Sequence, residues 1–221
     1  MSRTITVKGT GKVSARPDYV VLSMTLETLD KDYDKAMDTA AQQLQQLNDA
    51  LIAAGFEKSS IKTTGFNVRA DYSHENDGSG RWSQIFKGYA VSHSLKLEFD
   101  LDMKRLSDAL NAASGCLSHP QLSIAFTVKD PTAINEELLR SAAANARRKA
   151  EILCEASGVQ LGSLTAIDYN WNELNVFSAT RYSMTEGCAD GAPMAAKAMD
   201  ITPDDIDLSD TAAFVWEIIQ E

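Results

Sequence analysis

DPTAINEELLRSAAANARRKAEILCEASG, residues Asp130–Gly158, carries a complete set of helix start and stop features and decides the fold. Asp130 can accept a hydrogen bond from a free amide of the first turn, and Pro131 occupies the first helical position, where proline is favoured. Gly158 stands where a chain turns left-handed to leave a helix, so the stretch predicts about 27 helical residues, or about 40 Å. One stripe of this helix is apolar and shallow: Ile134, Leu138, Ala142, Ala146, Ala150 and Leu153. The stripe needs a sheet to lie on, and its alanines allow a close approach.

The N-terminal part of the chain predicts two strands. Thr4–Lys8 is predicted as a short strand, Gly9–Lys12 (GTGK) as a turn or bulge, and Val13–Arg16 as an extended continuation. Apolar and polar residues then alternate cleanly, which predicts a strand with one buried face. That face is formed by Val20, Leu22, Met24 and Leu26.

A second long helix and a hairpin follow. Apolar residues recur at spacings of four and three from Tyr33 to Ala54, and Gly55 ends the pattern. This spacing also suits a coiled-coil seam, but the neighbouring strands favour a helix lying on a sheet. Ile61–Tyr72 and Ile85–Leu101 predict a long hairpin, and the polar, glycine-rich segment 73–82 predicts a mobile tip.

The remaining elements are shorter. Met103–Cys116 predicts a helix, and the segments 122–128 and 161–171 predict strands. Residues 172–198 lose periodicity and predict a flexible excursion, whereas 210–220 predicts a last strand. The pattern therefore predicts an α+β fold, with a largely antiparallel sheet of about seven strands carrying two long helices and one shorter helix. Residues 1–221 are predicted to form one domain or two packed halves.

Composition excludes several classes of partner. The net charge of −10 and the pI of about 4.8 argue against a nucleic-acid surface, which requires basic patches. No apolar run is long enough for a membrane span. The N-terminal residues MSRTITVKG lack a signal-peptide core, so the sequence as written predicts a cytoplasmic protein, or a periplasmic one if a leader has been removed.

ITVKGTGKVSARPDYVVLSMTLET, residues Ile5–Thr28, resembles the opening of the SIMPL-domain family, which includes YggE-like proteins and periplasmic immunogenic antigens. The family opens with a strand, a glycine pair, Val-Ser, Pro-Asp and another strand. The matching positions here are Val7, Gly9, Gly11, Val13, Ser14, Pro17 and Asp18. Ser60–Tyr72 and Gly88–Phe99 resemble the two arms of the family's hairpin, and ARRKAEILCEASG resembles its alanine-rich helix. The resemblance implies an oligomeric assembly or interaction protein, with links to stress tolerance or signalling in some members. It implies no catalytic residue and no cofactor.

Catalytic and metal-binding motifs fail on their spacing. GTGK lacks the flanking glycine and hydroxyl of a phosphate loop, and it precedes a strand. Cys116 and His119 are only two of the four ligands of a structural zinc site. His93 falls on an apolar strand face, which predicts a core or groove histidine with one hydrogen-bond partner. The acidic run 200–210 lacks the glycine and glutamate of a calcium loop and predicts a solvated face.

Two surfaces remain as interaction candidates. Four aromatic residues gather near the hairpin tip: Tyr72, Trp82, Phe86 and Tyr89. They either line a partner groove, for which Trp82, Phe86 and Tyr89 are the candidates, or staple the hairpin through cross-strand pairs. The last strand is apolar on both faces, so it is predicted either to be a central strand covered by a helix and by residues 172–198 or to meet another subunit with its second face, and the subunit interface is favoured. The candidate interface residues are Phe214, Val215, Trp216 and Ile219. The favoured function is a non-enzymatic homo-oligomer, and the alternative is a ligand-binding protein or enzyme with a pocket between the tip and residues 172–198.

Overall fold

The computed structural model describes residues 3–76, 82–116, 119–169, 174–184 and 201–220. The chain divides into two compact units, of which the first comprises Met1–Pro17, Thr127–Ala179 and Pro203–Glu221, and the second Asp18–Phe126 and Thr180–Thr202. The elements in chain order are β1 (Thr4–Ala15), β2 (Tyr19–Asp30), α1 (Tyr33–Ala53), β3 (Ile61–Asn76), β4 (Trp82–Asp100), α2 (Met103–Ser114), β5 (Gln121–Thr127), α3 (Thr132–Ala156), β6 (Gln160–Asp168), β7 (Phe177–Met184) and β8 (Ile206–Ile219).

The predicted α+β class is confirmed, but the strands form two antiparallel sheets and not one. A five-stranded sheet has the order β3-β4-β2-β5-β7, and a three-stranded sheet has the order β1-β8-β6. The described residues contain eight strands, one more than predicted. The additional strand is β7, which lies inside the segment 172–198 that was predicted to be a flexible excursion. That prediction is wrong for residues 177–184, and residues 185–198 lie outside the described part of the chain.

The second unit has the larger core, in which α1 and α2 cover one face of the five-stranded sheet. The predicted buried face of β2 is confirmed, because its four apolar residues are at most 2% exposed. Opposite them, Leu97 of β4 and both Leu47 and Leu51 of α1 are fully buried. The apolar side chains at every second residue of β2 therefore pack against those at every third or fourth residue of α1, and together they form one layer of the core.

In the first unit, α3 lies on the three-stranded sheet and begins and ends close to the predicted positions. The Oδ1 atom of Asp130 accepts a hydrogen bond from the amide of Thr132 at 2.9 Å, and Gly158 has a φ of 67°. The predicted stripe is wrong at its end, where Leu153 is 50% exposed and Cys154 is buried in its place. The buried positions of α3 recur every four residues: Leu138, Ala142, Ala146, Ala150 and Cys154.

The GTGK segment is not a turn, because β1 runs without interruption from Thr4 to Ala15 and pairs with β8 throughout. Gly9 and Gly11 lie directly beneath α3. A Cβ atom at Gly9 would overlap the carbonyl oxygen of Ala142, and one at Gly11 would overlap that of Leu138. The glycines therefore allow close packing of a helix on a strand, a role that local turn preferences cannot reveal.

Side chains of α3 also bind the edge of β1 that faces away from β8. The amide of Thr10 donates to Oδ1 of Asn145 at 3.0 Å, and the amide of Lys12 donates to Oγ of Ser141 at 3.2 Å. One turn further along α3, the ammonium group of Lys149 donates to a backbone carbonyl of β1 at 3.1 Å. These bonds occupy backbone groups that would otherwise be available to another strand.

Candidate interaction surface on the β3–β4 arm

The hairpin of β3 and β4 extends beyond the rest of its sheet. The β2 strand pairs with β4 only from Tyr89 to Asp100, whereas β3 continues beside β4 as far as Trp82. Residues 71–76 and 82–88 therefore form a two-stranded ribbon, which we call the arm. The predicted tip is too long, since β3 includes Ser73–Asn76 and β4 starts at Trp82; residues 77–81 lie outside the described part of the chain.

A chain of aromatic rings runs along one face of the arm and continues past it to Tyr89 of β4 and Tyr33 of α1. The rings of Tyr72 and Phe86 are 5.6 Å apart, those of Phe86 and Tyr89 are 5.3 Å apart, and Tyr89 is 5.4 Å from Tyr33 of α1. All three pairs have the edge-to-face geometry that aromatic quadrupoles favour. Tyr33, Tyr72 and Phe86 are 47%, 48% and 37% exposed, so the ring chain is half open to solvent.

The structure brings together two of the three predicted partner residues, Phe86 and Tyr89. The side chain of Trp82 lies outside the described set. Tyr72 is the direct cross-strand partner of Phe86, as the stapling alternative requires. Tyr33 joins this cluster, although its spacing in α1 predicts a place in the apolar seam of the helix.

The four candidate interface residues of β8 separate onto two faces of its sheet. Phe214 and Trp216 are 6% exposed and stack at 5.6 Å beneath α3. Val215 and Ile219 face the opposite side, where Ile219 is 51% exposed. The neighbour of Val215 on β1 is Thr6, so this side is more polar than β8 alone suggests. The strand is central between β1 and β6, as the first alternative requires, and the favoured alternative, a subunit interface on its other face, stays a prediction.

His93 has the environment that its strand position predicts. Its Nε2 atom is 3.1 Å from Oγ1 of Thr63, and its ring meets the ring of Phe66 edge to face at 5.3 Å. Partial burial lowers the pKa of His93 from its ordinary value of 6.5, which favours the neutral ring. The hydroxyl group of Thr63 holds this ring, in the place that an orienting carboxylate takes in an acid–base pair.

No group of three or more His, Cys, Asp or Glu side chains within the described residues is arranged to hold a metal ion. Cys116 and Cys154 are buried, and neither forms a disulfide within the described residues. A shallow groove of about 190 Å³ lies on the other face of the hairpin, lined in part by Glu27, Arg69 and Asp71. The pocket predicted between the hairpin tip and residues 172–198 falls largely outside the described residues.

No helix in the described part of the chain is both long and apolar enough to cross a membrane. The chain is 27% identical over 163 residues to the 26 kDa periplasmic immunogenic protein of Brucella melitensis biotype 1, and 26% identical over the same length to that of Brucella abortus strain S19. Each match covers 74% of this chain and 65% of the relative, so it spans slightly less than two thirds of the relatives' length. The sequence model of the SIMPL family, described as a protein of unknown function (DUF541), matches residues 5–216. The chain therefore belongs to the SIMPL family, as its glycine pair and Pro-Asp step predict.

Proposed function

We propose that this protein acts without catalysis, by self-association and by binding other proteins, and that the arm is its contact surface. The observation that carries the proposal is the half-exposed chain of rings from Tyr33 to Tyr72. Aromatic residues are enriched at the centres of protein interfaces, because they bury a large area with few rotatable bonds. A two-stranded ribbon is also marginally stable alone, so a partner that covers the rings would stabilise it.

Light scattering of the intact chain tests this proposal. At micromolar concentration we expect a mass of at least twice the 24.1 kDa of one chain. The double variant Tyr72→Ser/Phe86→Ser should have a lower mass at an unchanged far-ultraviolet circular dichroism spectrum. The matched control is Ile152→Ser, which removes a 55% exposed apolar side chain from α3 and should leave the mass unchanged. A monomeric wild-type protein would refute the proposal.

The final strand offers the second candidate surface, because Val215 and Ile219 face away from α3. Val215→Lys separates the two surfaces in the same assay. If the arm is the contact surface, this variant keeps the wild-type mass. A mass that falls for Val215→Lys, but not for Tyr72→Ser/Phe86→Ser, would move the interface from the arm to the three-stranded sheet.

The location that best fits these relatives is the periplasm, because both are named as periplasmic proteins. We expect the natural gene product to appear in the osmotic-shock fraction of its host. Its retention with a cytoplasmic marker enzyme would contradict the periplasmic assignment without affecting the proposed self-association.

A further inference from the structure

Among the strands that the structure describes, β3 is the outer strand of the five-stranded sheet, and its outer edge is regular over nine residues. The β3–β4 pairing has two register shifts, and neither bulges β3 between Phe66 and His74. The first lies between Thr63 and Gly65. The second, at Asp71 and Tyr72, places its extra residue on β4, between Phe86 and Gly88. Natural edge strands are commonly protected by bulges or by a covering element. From Phe66 to His74 the strand is unbroken, and it carries Phe66 and Tyr72 at 52% and 48% exposure.

This edge is complementary to itself when two copies run antiparallel with Ala70 opposite Ala70. Phe66 then lies opposite His74 of the second copy, and Val68 lies opposite Tyr72. All four residues share the face of the sheet that carries α1, since Phe66 pairs with His93, and Val68 with the buried Val91. Cross-strand pairs of an aromatic residue with another ring or a β-branched residue stabilise antiparallel sheets.

The charged residues on the other face select the same register. Arg69 and Asp71 flank Ala70, and neither forms an ion pair within the described residues. With Ala70 at the centre, each arginine lies opposite the aspartate of the other copy, which gives two opposite-charge pairs. Registers centred on Arg69 or on Asp71 place like charges directly opposite, which destabilises a sheet.

We propose that two copies of the chain pair antiparallel through residues 66–74 of β3, so that two five-stranded sheets become one of ten strands with a two-fold axis at Ala70. This inference rests on the proposed self-association and names its edge, register and partner. The pairing is isologous, because the same patch serves both copies. Backbone hydrogen bonds supply affinity, and the two Arg69–Asp71 pairs supply register.

Charge exchange tests the register. We expect Arg69→Asp and Asp71→Arg each to weaken the dimer roughly tenfold or more, because each change creates two like-charge pairs. The double variant Arg69→Asp/Asp71→Arg restores opposite charges and should recover most of the wild-type dissociation constant, measured by sedimentation. Arg69 is exposed and Asp71 is only half-buried, at the wall of a groove, so folding should be retained. If both single variants and the double variant have the dissociation constant of the wild type, the proposed register is wrong.

A disulfide at the axis tests the edge itself. In a Cys188→Ser background, Ala70→Cys should form a covalent dimer under mild oxidation, because paired residues of neighbouring strands have the Cα separation that a disulfide needs. The control Asn67→Cys is equally exposed, but its two copies would be about 20 Å apart and should not cross-link. An oligomer in which Ala70→Cys fails to cross-link overturns the β3 pairing and leaves the proposed self-association intact. A monomeric wild-type protein overturns both.

Discussion

Replacement of Gly9 by alanine should destabilise the first unit, although alanine is ordinarily at least as well accepted in a strand. The new methyl group would meet the carbonyl oxygen of Ala142 and lie 2.7 Å from Cβ of Ala146. Neither atom can rotate away, since one is main chain and the other is fixed to it. The helix must therefore move away from β1, which also lengthens the hydrogen bond that the amide of Thr10 donates to Asn145.

The size of the effect follows from two opposing terms. Forcing one carbon into a packed core costs about 1–3 kcal/mol. The reduced freedom of the unfolded chain offsets about 0.4–1 kcal/mol of that cost. We expect Gly9→Ala to lose about 1–2 kcal/mol, and Gly9→Ala/Gly11→Ala to lose less than the sum of the single variants, because one displacement of α3 relieves both overlaps.

Thermal unfolding followed by circular dichroism measures this loss. In a chain of this size the melting temperature should fall by about 2–4 °C for each kcal/mol of unfolding free energy that is lost. The matched control is Gly65→Ala in β3, where the nearest atom to the new methyl group is Cβ of Ser94 at 3.7 Å. That contact is ordinary, so this variant should be neutral or slightly stabilised. Equal melting temperatures for Gly9→Ala and Gly65→Ala would refute the argument. Ala146→Gly should not rescue Gly9→Ala, because the carbonyl oxygen of Ala142 remains.

Three further results are expected. Leu138→Asp, at a position 1% exposed, should lower the free energy of unfolding by about 4 kcal/mol or more and prevent soluble folding. Arg147→Ala, at a side chain 73% exposed, should lower it by about 0.5 kcal/mol or less. Similar melting temperatures for the two variants would mean that α3 is rotated about its axis. Ser141→Ala/Asn145→Ala should lower the free energy of unfolding by about 0.5–1.5 kcal/mol for each hydrogen bond removed. Because the edge of β1 is then open, light scattering should detect aggregates at a lower temperature than for the wild type. An unchanged aggregation temperature would contradict the protective role of these bonds. The pKa of His93 is lowered in the folded chain, so its contribution to the free energy of unfolding is fully present above about pH 6.5 and is lost as the pH falls through the pKa of the folded state. His93→Gln should therefore flatten the decrease in melting temperature between about pH 7 and pH 5. Parallel curves for the variant and the wild type would exclude this histidine as the cause.

Much of the fold was predictable because its elements follow local rules. The alternation in β2, the apolar spacing in α1 and the hydrogen bond from the Thr132 amide to Asp130 just before α3 each depend on residues close in sequence. The β7 strand was missed because its sequence, FSATRYSM, is polar and borders a segment rich in alanine and glycine. Its one fully enclosed polar residue, Ser178, is stabilised by a hydrogen bond to the carbonyl of Asp204, a partner 26 residues away.

The glycine pair and the aromatic surface show two different limits of sequence analysis. Gly9 and Gly11 suggest a turn in isolation, and only the presence of α3 more than 120 residues later gives them their packing role. The contacts of Phe86 with Tyr72 and Tyr89 follow from their positions in the hairpin, whereas a partner role for Trp82, Phe86 and Tyr89 stays a prediction. The exposure of the cluster could not be predicted, because that depends on where β2 ends relative to the arm.

The pairing of β1 with β8 places a constraint on synthesis. Thr4 pairs with Glu217, so β1 leaves the ribosome more than 200 residues before its hydrogen-bonding partner. At about 5–20 residues per second, β1 waits roughly 10–40 s for β8, while β2 and α1 can already begin to form the other unit. The three-stranded sheet is therefore completed only when the last strand has been released. A chain that cannot close one of its two cores before synthesis ends stays partly unfolded for that interval, which is the condition in which chaperones and translocation machinery can engage it.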